Sequence, residues 1–326
     1  MRELLCTFVG NGVIMRPQIA ELPKAESLDY GEIIARYIRG EIDLICVLGP
    51  TASGKTKYAV KLAQEICACR DLGMFEGCPF PITDTPSIQG AEIISADSRQ
   101  VYRGMDIGTG KDLAEYGDIP YHLIDIAPAG AQYNVYEFQK DFIKAYADIR
   151  SRHCIPILCG GTGLYLNSVI SGYDFRNTKP LSELRTAGGP GKAGIAEQSG
   201  EAGAMGDIAR TDNADAAEGL PKKPFVIGTL VSRELRNERI DRRLDARLKD
   251  GMVEEIKGLL DAGVPSQTLI SYGLEYKFVT LYLLGQLSYE QMREQLAIAI
   301  HQFAKRQMTW FRGMERSGVQ IHWVEV

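Results

Sequence analysis

The residues Gly49-Pro50-Thr51-Ala52-Ser53-Gly54-Lys55-Thr56 satisfy G-x-x-x-x-G-K-[ST] at every fixed position. This spacing builds a cradle for linked phosphates. Its glycines let backbone N–H groups turn inward, the helix start behind them adds partial positive charge, and Lys55 adds a full one. The Thr56 hydroxyl is placed to ligate Mg²⁺. Later in the chain, Asp97 ends a second apolar run. A carboxylate there can hold Mg²⁺, act as a general base on an acceptor, or cap the following helix. Ser98 and Gln100 beside it each donate and accept hydrogen bonds, the equipment for reading a base edge. Thr109, in Ile107-Gly108-Thr109-Gly110, and Thr162, in Gly160-Gly161-Thr162, are small hydroxyls on glycine turns, suited to close contact with phosphate oxygens.

These groups need elements to hold them together. Leu44 to Leu48 reads as a buried strand, and Tyr58, Ala59, Leu62, Ala63 and Ile66 recur at helical spacing. Strand patterns return at Ala91–Ala96, Leu123–Ile126, Ile155–Cys159 and Phe225–Val231, with a helix over Tyr136–Arg150. The alternation implies an α/β fold: a P-loop NTPase-like parallel sheet with helices on both faces, and ligands at the carboxyl ends of its strands. From Ser232 to Phe311 the pattern is helical. It includes a basic helix with Arg239, Arg242, Arg243 and Arg247 and a long amphipathic helix over Glu290–Phe311, and Ile321-His322-Trp323 follows as a last strand.

Four segments result: an N-terminal extension (1–40), a P-loop α/β core (41–175), an insert (176–224), and a late strand with a mostly helical C-terminal part that completes the core (225–326). Within the insert, Thr186 to Gly219 is crowded with Gly and Ala and has almost no large apolar residues, so it reads as flexible. The loop-like stretch Cys69–Gly90 is rich in Pro and Gly.

The 326 residues carry 45% apolar and 24% charged side chains with a net charge of −5, an ordinary globular composition that argues against a nonspecific nucleic-acid coat. Seven cysteines, two of them in strand-like apolar runs, read as reduced thiols, and Cys67, Cys69 and Cys78 lack a fourth partner at zinc-like spacing. No apolar run reaches about 18 residues. A cytoplasmic protein without membrane contact is expected.

Taken together, Gly49–Thr56 and Ile94-Ser95-Ala96-Asp97-Ser98-Arg99-Gln100-Val101-Tyr102-Arg103-Gly104-Met105-Asp106-Ile107-Gly108-Thr109 resemble the tRNA dimethylallyltransferase (isopentenyl transferase) family. Further matches are His122-Leu123-Ile124-Asp125, Gly160-Gly161-Thr162-Gly163-Leu164-Tyr165, Leu287-Ser288-Tyr289-Glu290 and Ala304-Lys305-Arg306-Gln307-Met308-Thr309-Trp310-Phe311-Arg312. The resemblance spans about residues 44–175 and 225–323.

It implies transfer of a dimethylallyl group from dimethylallyl diphosphate to N6 of an adenosine, most simply in tRNA beside the anticodon, by a monomer using Mg²⁺. Gly49, Thr51, Ala52, Ser53, Gly54, Lys55, Thr56, Thr109, Arg239 and Arg243 are implied to hold the diphosphate, with Thr56 on the metal and Arg239 among the catalytic groups. Asp97 is implied as the base. Ser98, Arg99, Gln100, Thr162, Tyr276, Lys277, Lys305, Arg306, Gln307 and Arg312 are implied on the acceptor side. Packing is the simpler role for Trp310.

The chain also departs from the family pattern. Glu275-Tyr276-Lys277 stands for Gly-Tyr-Arg, Gly110-Lys111-Asp112 for Ala-Lys-Pro, and the Thr186–Gly219 stretch for a helical insertion that grips RNA. A free adenine nucleotide (AMP, ADP or ATP) is therefore the alternative acceptor. A P-loop nucleotide or small-molecule kinase is the reading from another class, and it leaves Asp97–Gln100 and Lys305–Arg312 unexplained.

Overall fold

The computed structural model describes residues 23–71, 88–173 and 218–326. Six parallel strands form one sheet in the order β3-β2-β4-β1-β5-β6. They are β1 Leu44–Leu48, β2 Gly90–Ser95, β3 Tyr121–His122, β4 Cys154–Gly160, β5 Pro224–Leu230 and β6 Ile321–Glu325. Central β1 is buried along its whole length between β4 and β5, so both faces of it must be apolar. Its side chains divide by alternation. Ile45 and Val47 join the core under α1 (Tyr30–Ile38) and α2 (Lys55–Asp71), whereas Leu44, Cys46 and Leu48 join the one under α3 (Val135–Ser151) and α4 (Gly163–Ile170).

The C-terminal part is helical: α5 Arg233–Lys249, α6 Met252–Asp261, α7 Ser266–Ser271, α8 Leu274–Leu283 and α9 Tyr289–Arg316. These pack a third core with Val101, Tyr102 and Met105 from the loop after β2. Helix α9 begins with a capping box, in which Ser288 accepts from the Gln291 N–H and the Gln291 side chain accepts from the Ser288 N–H. Met292, Leu296, Ile300 and Ala304 recur every fourth residue and lie in the helical core, and Phe311 and Met314 lie against the sheet. One rigid helix thus ties the two parts.

Three expectations are revised. The strand read at Leu123–Ile126 is only Tyr121–His122. Leu123 and Asp125 adopt φ of +62° and +58°, because this stretch turns away from β2 to the 100–103 loop, where Asp125 N–H donates to Gln100 O at 3.1 Å. The described part of the N-terminal extension is not a mere appendage: Ile33 and Ile34 are core residues, and Glu26 N–H donates to Trp323 O at 2.6 Å. At its far edge the insert rejoins the fold before residue 225. Leu220 is buried there, and the Asp43 carboxylate accepts the Lys222 and Lys223 N–H groups at 2.7 and 2.9 Å. Nearly all of the Thr186–Gly219 stretch, most of the Cys69–Gly90 loop and Cys78 lie outside the described residues. Among the described residues no helix is long and apolar enough to cross a membrane.

Candidate active site

The loop after β1 is shaped by what its residues cannot accommodate. A Cβ on Gly49 would lie 2.1 Å from Thr229 Oγ1 on neighbouring β5, so only glycine fits there. The Ser53 and Thr229 hydroxyls are 2.7 Å apart, locking the loop to the sheet. Ala52 and Gly54 take φ of +61° and +83°. For alanine this conformation costs about 1–2 kcal/mol, a strain found where a loop is held for a ligand. Thr51 N–H donates to Gln307 Oε1 at 2.8 Å, and Ser53 N–H donates to Pro50 O at 3.2 Å. The N–H groups of Ala52, Gly54, Lys55 and Thr56 take no partner among the described residues. These amides open at the N-terminus of α2, an anion site by both dipole and hydrogen-bond donors.

The loops after β2 and β4 close the opposite side. A Cβ on Gly160 would sit 2.3 Å from Ala96 O, so the two strand ends meet backbone to backbone. Thr162 Oγ1 accepts the Ser98 N–H at 3.1 Å, joining the loops. Asp97 Oδ1 accepts the Arg99 N–H at 2.9 Å in a local turn, with Arg99 Nε at 3.6 Å. Gln100 accepts from Ser95 Oγ at 3.0 Å and donates to Gly110 O at 3.2 Å, which braces the turn that carries Thr109.

The cationic wall comes from α5. Arg243 and Arg247, one turn apart, both face the pocket. Arg243 donates to Gly110 O at 3.2 Å and pairs with Asp112. A Cβ on Gly110 would coincide with the Arg247 guanidinium, and φ there is +62°, so glycine is required twice over. Burial, with Arg243 beside it, pushes the Arg247 guanidinium down to about 10. Burial also pushes the Lys55 ammonium below the ordinary lysine value; Cys159 and Asp97 oppose this, and Arg243 and Arg99 add to it. The pocket therefore holds crowded, partly desolvated positive charge, a setting that favours an anion. Beneath the Thr109 turn, Glu255 accepts the N–H groups of Asp106, Ile107 and Gly108 at 2.8, 2.7 and 3.0 Å, and the Tyr276 hydroxyl at 2.7 Å.

The IPP transferase family model matches residues 100–224 and 204–314. tRNA dimethylallyltransferase 1 of Parabacteroides distasonis is 47% identical over 307 residues, covering 87% of this chain and 92% of that protein. The chain belongs to the tRNA dimethylallyltransferase family. Its counterpart in Porphyromonas gingivalis is 47% identical over 305 residues, covering 86% and 93% of the two chains. The crystal structure of the tRNA isopentenylpyrophosphate transferase of Bacillus halodurans is similar with a TM-score of 0.63 at 29% identity, over 87% of this chain and 89% of that one. A eukaryotic dimethylallyltransferase acting on tRNA shares the fold, at 20% identity and a TM-score of 0.58, over 86% and 73% of the two chains.

Of the residues implied by the dimethylallyltransferase resemblance, Thr51, Lys55, Thr56, Asp97, Arg99, Gln100, Thr109, Arg243 and Gln307 line one pocket. Arg239 lies beside the P-loop, its Nη1 3.9 Å from where a Gly54 Cβ would stand. Ser98 and Thr162 meet at the joined loops. Lys277, Lys305 and Arg306 are exposed, and half-buried Arg312 lies 3.6 Å from Glu315.

Several side chains differ from the expected roles. Tyr276 is fully buried with its hydroxyl on Glu255, so it supports the Thr109 turn. Gln307 has both ends engaged internally, on Thr51 N–H and on Gly161 O at 2.8 Å, so it clamps two loops. Gln100 is likewise occupied on both ends. The Thr109 hydroxyl turns onto Met105 O, and the Ser53 hydroxyl belongs to Thr229. Trp310, by contrast, takes the expected packing role, on Gly163, where a Cβ would come 2.3 Å from its ring.

Arg247, Phe303, Glu255 and Glu275 take part in the site although no role there is implied for them by the sequence. Arg247 falls one helical turn after Arg243, a signal the sequence carried; the others depend on contacts across more than a hundred residues.

Proposed function

We propose that the protein transfers a dimethylallyl group from dimethylallyl diphosphate to N6 of an adenosine in tRNA, and that this pocket is where it does so. The observation that carries the reading is the convergence of the open P-loop amides, Lys55 and the α5 arginines on one side with Asp97 on the other. The first set suits a diphosphate leaving group, and the second suits an amine that must lose a proton.

In this reading the P-loop amides, Lys55, Arg243 and Arg247 bind and orient the diphosphate, with Arg239 at its edge. The bond between the allylic carbon and the diphosphate oxygen breaks with its electron pair on the diphosphate. The N6–carbon bond forms, and the N6 proton passes to the Asp97 carboxylate. The Ser98–Thr162 junction borders the place of the acceptor base, which must leave its stack to enter. Lys305 and Arg306, exposed on α9, meet RNA phosphates from outside. Among the described residues no three acidic, His or Cys groups form a metal cage. The Thr56 hydroxyl, which lines the same pocket, would hold Mg²⁺ together with substrate oxygens, the usual manner for this ion. When bound, Mg²⁺ supplies charge neutralisation on the diphosphate.

The test is a transfer assay with labelled dimethylallyl diphosphate and Mg²⁺, offering unmodified tRNA, AMP and ATP side by side. Label in tRNA is the expected result. Label confined to a free nucleotide would replace the acceptor, and label in none would overturn the transferase reading for this pocket.

A further inference from the structure

The Glu275 carboxylate is buried in the first turn of α8. A buried carboxylate is tolerated only when cations meet it. Two do: Arg99 Nη1 lies 2.6 Å from Oε2 and Arg247 Nη1 lies 3.6 Å from Oε1. These guanidiniums serve different halves of the pocket. Arg99 follows Asp97, whereas Arg247 sits against Gly110 beside Arg243. One carboxylate spans both halves.

The seat of Arg99 is narrow. A Cβ on Gly273 would come 2.9 Å from its Cδ, and the Phe303 ring faces its guanidinium at 5.9 Å. With Nη1 held by Glu275, the Arg99 side chain comes no nearer to Asp97 than Nε at 3.6 Å, too long for a good hydrogen bond. Asp97 Oδ2 accepts no hydrogen bond among the described residues. The other titratable groups facing Asp97 are Lys55 from α2, Tyr116 from the turn Leu113–Tyr116, Cys159 from β4 and Tyr165 from α4. Arg99 is faced in addition by Tyr276 and Lys55, and Arg247 by Arg243, Asp112 and Arg99. Glu275 is thus the carboxylate that competes with Asp97 for Arg99.

We propose that Glu275 is a positioning residue for proton transfer: it holds Arg99 by Nη1, prevents a forked ion pair between Arg99 and Asp97, and so leaves an Asp97 oxygen open to the acceptor amine. A forked arginine pair would cover both carboxylate oxygens and favour the charged form, making Asp97 a weaker base. The inference rests on the reading of Asp97 as the base, and the test separates the two.

Glu275→Gln in the full chain keeps the shape and removes the charge. Its kcat with tRNA is expected to fall about tenfold, with the acidic limb of the rate–pH profile moving down by about one unit as Arg99 closes on Asp97. KM for dimethylallyl diphosphate should stay or fall, since Arg247 keeps its charge beside the P-loop. In an Arg99→Gln background the Glu275→Gln change should add less than about twofold, because the mediator is gone. Glu275→Asp retains the charge at shorter reach and should lie between wild type and Glu275→Gln; it also supplies the readout if Glu275→Gln does not fold. An acidic limb left in place by a folded Glu275 variant, or the full effect persisting without Arg99, overturns the proposal. If the acidic limb survives in the residual rate of Asp97→Asn, the base is another group and the underlying reading fails. If the limb disappears with Asp97→Asn yet ignores Glu275, only the present inference fails.

Discussion

The Gln307 side-chain oxygen accepts the Thr51 backbone N–H at 2.8 Å across 256 positions of sequence. Its amide nitrogen donates to Gly161 O at the same distance, so one side chain on α9 sets the spacing between the phosphate loop and the loop after β4. Gln307→Ala leaves the buried Gly161 carbonyl and the partly buried Thr51 N–H without partners, at about 1–3 kcal/mol. The expected outcome is a roughly 5- to 100-fold rise in the dissociation constant of dimethylallyl diphosphate. Calorimetric titration checks it, and wild-type affinity would show that the loop keeps its shape unaided.

The two halves of the pocket should separate kinetically. Lys55→Ala removes a charge aimed at the leaving group and should weaken diphosphate binding by about tenfold or more. Asp97→Asn should leave that affinity nearly intact while lowering turnover by about 10²–10⁴-fold, the range for a lost general base. Binding and single-turnover measurements on both variants decide it. A large loss of diphosphate affinity in Asp97→Asn would instead make Asp97 part of the diphosphate or metal site.

Lys305 and Arg306 lie exposed on α9, and the Arg306 guanidinium flanks the Phe303 ring at the pocket. Replacing both with alanine should reduce the salt slope of tRNA binding by about 1.5, the release expected for two phosphate contacts. Affinity measured across a salt series reads the slope directly. An unchanged slope would remove these side chains from the RNA interface.

At the opposite end of the sheet, Glu92 accepts from Arg152 and lies 2.7 Å from His122 Nε2. Burial would raise its carboxyl, but the hydrogen bonds of His122 and Arg152 outweigh burial and hold it below the ordinary carboxylate value. The folded state thus releases this proton more readily than the unfolded state. The resulting stability is present above the unfolded carboxyl value and is lost as pH falls through the lower folded value. Glu92→Gln should cost about 1 kcal/mol at neutral pH, a small figure because Arg152 is substantially exposed. It should also flatten the acid loss of stability below about pH 4.5. Urea midpoints measured against pH test both parts, and parallel curves for the two proteins would exclude the linkage.

Much was legible in the chain because it is local. The P-loop is eight consecutive residues, and its requirement for glycine at 54 follows from the local φ of +83°, whereas at 49 it comes from Thr229 on β5. The strand–helix alternation follows from burial on both faces of β1 and from the four-residue apolar period of α9. The strand read at Leu123–Ile126 failed because its apolar pattern serves a packed turn, a distinction made by pairing with residues 100–103 and not by composition.

From the sequence alone came the fold class, the family, the P-loop and the placement of Asp97 at a strand end beside it. Only the tertiary structure decided what the flexible polar side chains do. Tyr276 and Gln307 belong to motifs that imply contact with RNA, yet each finds a buried partner inside the protein. Arg247, Glu255 and Glu275 acquire their roles from carboxylates, amides and guanidiniums far away in sequence. A backbone motif determines its own shape, whereas a long side chain takes the partner that folding brings within reach, and desolvation makes that choice costly to reverse.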